Sequence, residues 1–320
     1  MASSVYPAQG GVTNNTRLAT FIPEIWSNEL IAAYRANLTL QPLIRSMNFV
    51  GKKGDVVHVP KPIAGTVSQK VSGTAVSIQA DTAGELQINI NQNWEYSRLV
   101  EDITKMQALN SQREFFISDA AHQLSKKVDT DLHNLGKSAG DGDGTSWVNS
   151  GSWYCDAATG NLAAFAEDTV AATDVFSDQC YRQLIQKADD ANVPMSDRAF
   201  VIPPSLRNAI MGIDRYVSSD FVDRRGAVSA GLVGEVYGIP IFVSTNCPVV
   251  EAAADNTANS NDLKQAMLLH KDSLVIAIQQ DIKTETQYKL EWLSDLVVSS
   301  ILYGTAAYRP ESFFNLVVNA

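Results

Sequence analysis

Residues 101–135 read EDITKMQALNSQREFFISDAAHQLSKKVDTDLHNL, and this stretch decides the fold. It contains neither glycine nor proline, and the chain carries none from Glu85 to Leu135. Apolar side chains recur at helical spacing, with Ile117, Ala121, Leu124, Val128, Leu132 and Leu135 on one face. The spacing predicts one helix over Glu101 to Leu135, about 50 Å long at roughly 1.5 Å per residue. A compact globule of 320 residues has a radius of gyration of only about 20 Å. A rod of that length fits along the back of a flat, extended subunit, so the sequence points first to a shape, and the shape to assembly. Gly136 follows as the expected C-terminal stop.

Upstream, residues 1–20 are polar and without periodicity and read as a flexible arm. Pro23 and Glu24 then open a short amphipathic helix to about Asn37, with Ile25, Trp26, Leu30, Ile31, Tyr34 and Leu38 at helical spacing. From Val50 to Arg98 the period changes to two. The pattern predicts a long two-stranded arm, out through Asp55 to Val71, around a polar tip at Ser72 to Ala83, and back through Glu85 to Trp94. A lone hairpin is marginal in water, so the arm is expected to lie on a neighbouring molecule. Its lysines Lys52, Lys53, Lys61 and Lys70 are candidate assembly contacts with acidic patches of that neighbour.

Downstream, a loop rich in Gly, Asp, Ser and Trp runs to about Gly160. A second helix is expected from Asp174 to Asn192, a buried strand over Ala199 to Ile202, and a third helix over Leu206 to Met211. After a glycine-rich loop come strands at Ile241 to Thr245, Gln265 to His270, Leu274 to Gln279, Thr284 to Trp292 and Leu296 to Tyr303, giving an α+β class.

Composition narrows the function classes. A net charge of -10 with no basic tract argues against a nonspecific nucleic-acid binder. The widely spaced Cys155, Cys180 and Cys247 read as reduced thiols rather than a disulfide or zinc framework. No signal peptide is evident, so secretion is not expected and the triplets Asn14-Asn15-Thr16 and Asn37-Leu38-Thr39 read as chance. The apolar run Leu296 to Tyr308 is too short and serine-rich to span a bilayer, so no membrane is expected.

No catalytic, cofactor or metal motif stands out. Asp141-Gly142-Asp143-Gly144-Thr145 opens like a calcium loop, but the twelfth position is Ser152 and not a bidentate Glu. His58, His122, His133 and His270 lie at no ligand spacing. Asp129 and His133 share a helical face and read as a solvated surface pair. Gly226, Gly231 and Gly234 do not form a nucleotide-binding fingerprint, and the sequence around Ser229 is not a nucleophile elbow.

The order of these parts resembles the major capsid protein family of tailed bacteriophages, whose shell fold is shared with encapsulins. Local segments agree: Ala199-Phe200-Val201-Ile202-Pro203-Pro204-Ser205-Leu206, Gly238-Ile239-Pro240-Ile241-Phe242-Val243-Ser244, and Ile301-Leu302-Tyr303-Gly304-Thr305-Ala306-Ala307-Tyr308-Arg309-Pro310-Glu311. The resemblance implies an N-terminal arm (1–22), a short helix and connection (23–49) and an extended β-hairpin loop (50–98). It further implies a peripheral domain with spine helix and following loop (99–172), an axial domain (173–247) and return strands of both domains (248–320).

It also implies a non-enzymatic subunit that self-assembles as hexamers and pentamers around double-stranded DNA without binding it specifically. The expected place is the virion, with assembly in the cytoplasm of a bacterial host. The polar arm is too short for a built-in scaffold, so a separate scaffolding protein is implied, with a portal protein and possible decoration proteins. Quasi-equivalent packing calls for hinges, expected at Gly51, Gly54, Gly226 and Gly231. An acidic subunit suits a shell that must not grip its DNA, because like charges repel over about 8 to 10 Å at physiological salt. The alternatives are an encapsulin-like cargo shell and an intracellular α+β enzyme or binding protein without a recognised motif.

Overall fold

A computed structural model of the chain describes residues 38–61, 65–73, 75–76, 78, 84–102, 112–139, 152–165, 170, 174–213, 234–250 and 263–319. The expected N-terminal arm and first helix, residues 103–111 of the expected long helix, the Asp141 to Thr145 loop, and Gly226 and Gly231 lie outside the described residues, while Glu101, expected to open that helix, is instead the last residue of a strand that pairs with Ser294.

The long helix is present as α1, Gln112–Ala139. Its 28 residues span about 42 Å. Ala120, Leu124, Val128 and Leu132, each one turn apart, are buried along one face. Gly136 does not end this helix, as the sequence predicted, but lies within it. A Cβ there would sit 2.7 Å from Cζ of Phe313 and 3.3 Å from Sδ of Met267, so the glycine serves close packing rather than capping. Lys137 in the last turn complements the helix dipole.

One face of α1 lies on a four-stranded sheet. Its strands are β1 (Arg45–Asn48), β4 (Gln92–Glu101), β12 (Leu274–Lys289) and β13 (Ser294–Ala307), in the order β1-β12-β13-β4. The two strands expected over Leu274 to Gln279 and Thr284 to Trp292 are one continuous β12, interrupted only by register shifts near Gln280. Such bulges disrupt the alternation that periodicity reads, which is why the strand looked like two. Sheet and helix are fastened by the Tyr303 hydroxyl, which donates to Asp131 Oδ2 at 2.6 Å, and the Tyr96 hydroxyl, which donates to Asp119 Oδ2 at 2.9 Å.

The arm is shorter than the sequence suggested. β2 (Val56–Lys61) pairs antiparallel with β3 (Gly84–Asn89), but the return does not continue to Trp94 as one strand. The Ile90 amide donates to Asp55 O, and from Gln92 the chain joins β13 instead. Nor does the base of the arm depend on a neighbour: Ile88 and Ile90 are buried against Val275 and Ala277 of the subunit's own β12.

A second sheet, of eight strands among the described residues, runs β6-β5-β14-β11-β7-β9-β8, with β10 added on β11. The strands are β5 (Ser152–Asp156), β6 (Asn161–Ala164), β7 (Arg198–Ile202), β8 (Glu235–Val236), β9 (Ile239–Val243), β10 (Val249–Val250), β11 (Leu263–His270) and β14 (Phe313–Asn319). β5 and β6 fall partly where the sequence predicted only loop, and β14 was not anticipated as a strand. Tyr237 and Gly238, both at positive φ, make the tight β8–β9 turn.

Two helices complete the described elements: α2 (Asp178–Asp190), capped by Ser177, and α3 (Pro204–Met211). Strands β7 and β11 divide the interior. Phe200, Ile202, Ala266 and Leu268 face α2 and α3, while Ala199, Val201, Met267 and Leu269 face α1. Alternation along one buried strand thus feeds two cores, and the two lobes share a wall.

Candidate assembly surface

Beyond Lys61, residues 65–73 run without regular secondary structure. Val67, Val71, Val76 and Ile78 are all exposed, with Val67 and Ile78 wholly so. β-branched side chains suit a pleated, half-buried surface, so four of them exposed along one segment are apolar area that the described residues leave uncovered. Of the candidate lysines, Lys53, Lys61 and Lys70 are exposed along this segment and its approach. Lys52 is held locally: its ammonium lies 5.2 Å over the Phe49 ring, and its carbonyl accepts from Gln279 Nε2 at 2.7 Å.

The same Gln279 Nε2 donates to Gly54 O at 2.9 Å. Gly51 and Gly54 take φ of +78° and +142° with open space where a side chain would stand. They shape the entry to the arm between β1 and β2, and Gln279 ties that entry to the sheet.

A second exposed apolar group caps the far end of the sheet. β12 and β13 meet in a 3-10 turn, Leu290–Trp292, closed by Leu293 in the left-handed region at φ 43°. Leu290 is 78% exposed, Trp292 66% and Leu293 65%. Leu99 on the adjoining edge strand β4 is exposed too. The turn is well made despite its exposure: the Asp102 amide donates to Leu293 O at 3.1 Å, and the Tyr288 hydroxyl donates to Asp102 Oδ2 at 2.6 Å. Glu101, Asp102, Glu291 and Asp295 make this end acidic. It was missed in the sequence because Leu290 and Trp292 sit at the end of an apparent strand, where exposure leaves no periodic trace.

The base of the arm crosses β13 at Gly304, where the backbone of Asn89 and Ile90 closes on it. From Gly304 to Ser294 at the far end is about 33 Å of strand. The projecting segment therefore springs from a two-stranded sheet that crosses β13 near Gly304, and the apolar, acidic tip lies at the other end of β13.

Asp129 and His133 are not the solvated pair the sequence predicted. Asp129 is 1% exposed and His133 0%. Asp129 Oδ1 accepts the Leu40 amide at 2.9 Å, Oδ2 accepts Asn246 Nδ2 at 2.8 Å, and His133 Nε2 lies 3.5 Å from Oδ2. Burial pushes the Asp129 carboxyl up, but His133, Asn246 and the Leu40 amide together hold it below its ordinary range. Helical periodicity shows that two residues share a face and not whether anything covers it.

The three cysteines are free and buried. The Cys180 thiol is lowered by its hydrogen bond with Cys155, whose own thiol that bond raises. Burial raises the Cys247 thiol to about 12. Among the described residues no cluster of His, Cys, Asp and Glu is arranged to hold a metal ion, and no helix is long and apolar enough to cross a membrane.

No protein-family model matches the chain, and no curated protein sequence matches it. Solved structures do match. A chain of Mycobacterium phage Che8 gives a TM-score of 0.72 at 21% identity, covering 92% of this chain and 97% of that one. The capsid structure of the cyanophage P-SCSP1u also gives 0.72, at 18% identity over 99% of both chains. The mature capsid of bacteriophage PhiM1 gives 0.68 at 14% identity, over 93% and 92%. This chain has the phage capsid fold. The long α1 across a β12–β13 sheet, with an arm projecting from its base, is therefore the spine and extended loop of that fold.

Proposed function

We propose that this chain is a major capsid protein: a structural, non-enzymatic subunit that assembles with copies of itself, as hexamers and pentamers, into an icosahedral shell around double-stranded phage DNA. The observation that carries the proposal is the projecting segment with Val67, Val71, Val76 and Ile78 exposed. Its complement is the Leu290, Trp292 and Leu293 tip, acidic where the arm carries Lys61 and Lys70. Two unlike surfaces at separate places on the subunit suit a heterologous, head-to-tail contact, which closes into rings where the rotation between subunits closes. The full-length coverage of capsid chains by this fold supports the same reading.

In this reading Lys53, Lys61 and Lys70 meet the acidic tip of the next subunit, and Lys52 braces the arm's base. Gly51 and Gly54, with Gly226 and Gly231, absorb the differences between lattice positions. The division into arm, extended loop, peripheral and axial domains follows the spans given above, except that the extended loop ends before Gln92, where β4 joins the four-stranded sheet. A separate scaffolding protein, a portal protein and a decoration protein are the further partners proposed. The shell forms in the host bacterial cytoplasm, resides in the virion and holds its DNA without specific contacts.

Electron microscopy and size-exclusion chromatography of the expressed chain, alone and with its scaffolding protein, test the proposal. Rings or hollow shells are expected. A compact monomer under every condition would overturn it, and particles filled with enzyme rather than DNA would make the shell a cargo compartment.

A further inference from the structure

The buried joint around Asp129 has no part in the assembly surfaces, yet three separate stretches of chain meet there. Leu40 is fully buried, and its amide is held by Asp129 Oδ1 just before the Gln41–Leu43 turn that leads into β1. Asn246 lies in the turn leaving β9, and its side chain is held by Asp129 Oδ2. The same turn is braced by Ser244 Oγ, which accepts the Asn246 amide at 3.1 Å and lies 3.4 Å from His133 Nε2. His133 and Asp129 come from adjacent turns of α1. One carboxylate on α1 thus fastens both the Leu40 segment ahead of β1 and the turn that leaves β9.

We propose that Asp129 is a proton-sensitive latch: ionised, it holds the Leu40 segment and the Asn246 turn on the spine helix, and protonated, it lets both go while the two sheets stay folded. The chemistry lies in the geometry. Both oxygens of the carboxylate accept from N–H donors, so a proton on one sets a donor against a donor and removes that bond, and the loss of the negative charge weakens the bond to the other. Because Asp129 and His133 are almost wholly buried, a lost partner there is not readily replaced by solvent.

The titratable groups that face the latch are few. His133 comes from α1 itself, Cys247 from the β9–β10 turn, and Lys264 of β11 stands beyond Cys247. The Leu40 segment contributes only its backbone amide. Because the Asp129 carboxyl is held below its ordinary range, the latch is closed at neutral pH and opens as the pH falls through that lowered value. The inference does not depend on shell assembly, because every contact lies within one chain.

Hydrogen exchange read by mass spectrometry on the full-length chain, between pH 7 and pH 2, tests it. After correction for intrinsic exchange, peptides covering 38–44 and 244–250 are expected to lose protection as the pH falls. Peptides from β7 and β11 are expected to hold theirs. The isosteric Asp129→Asn, which cannot ionise, is expected to make the 38–44 peptide insensitive to pH. Constant protection of both latch peptides in the wild type would overturn the proposal. So would a parallel loss in β7 and β11, which would mark global acid unfolding, or an unchanged pH response in Asp129→Asn. Should that variant fail to fold, the wild-type comparison of latch and core peptides decides alone.

Discussion

Gly304 of β13 and Asn89 at the end of β3 pass backbone against backbone, and only the missing side chain permits it. A Cβ at position 304 would collide with the Asn89 carbonyl oxygen and lie 3.0 Å from both its carbonyl carbon and Ile90 Cα. Neither partner can swing aside as a side-chain tip could, and Ile90 is itself locked by its bond to Asp55 O. This crossing sets where the arm leaves the sheet.

Gly304→Ala is therefore expected to destabilise the subunit by about 1–3 kcal/mol, the usual cost of overpacking. Urea denaturation measures the loss, and faster exchange at Ile88 and Ile90 would place it at the arm's base. A stability equal to wild type would show that the crossing relaxes freely.

Tyr303→Phe removes the hydroxyl that donates to Asp131 Oδ2 at 2.6 Å, where Lys127 also binds the same carboxylate. A hydrogen bond to a charged group contributes about 1.5–3 kcal/mol, and the surviving ion pair is expected to keep the cost near the lower figure. A shift in the denaturation midpoint with an unchanged slope reads it.

Arg198 is buried, with its guanidinium donating to Asp189 at 2.7 Å and to the carbonyls of Val193 and Pro194 at 2.6 and 2.9 Å. Arg198→Ala leaves those carbonyls without their donor while Asp189 is partly exposed, and a loss of about 1–3 kcal/mol is expected, the cost of leaving buried acceptors unsatisfied. Thermal unfolding is the check; a variant within about 0.5 kcal/mol of wild type, the range of an ordinary surface change, would show that water takes over the guanidinium's place.

Ser177→Ala deletes the side chain that accepts the Cys180 amide at 3.3 Å and caps α2. The expected cost is about 1 kcal/mol. Ser177→Asp, which keeps an acceptor at the helix start, is expected to restore stability, and calorimetry compares the three.

Trp292→Ala is expected to leave the monomer's unfolding midpoint unchanged, because Trp292 is two-thirds exposed in the subunit, yet to abolish or sharply reduce shell formation. Light scattering and electron microscopy read the second effect. Normal shells from a normally folded variant would remove the tip from the assembly surface.

The spine helix was legible because Leu124, Val128 and Leu132 repeat at one-turn spacing without interruption. Where the chain departs from regular patterning, the sequence misled. β14 carries the buried polar Asn315 in its middle, whose amide donates to Gly136 O at 3.2 Å, so it lacks a clean apolar alternation. β5 and β6 are too short for a period to show. Candidate contacts were half legible: the arm lysines stand out in the sequence, whereas the Trp292 tip does not, because an exposed tryptophan and a buried one look the same there.

By itself the sequence determined the long helix, the α+β class and the order of parts, because helix and strand pairing within a hairpin depend on residues near one another in the chain. Only the tertiary structure decided which faces are covered. Asp129 became a buried joint through Leu40 and Asn246, Gly136 a packing site through Phe313, and Gly304 a crossing through Asn89. In each case the deciding partner lies far along the chain, and burial, unlike periodicity, is a property of the pair.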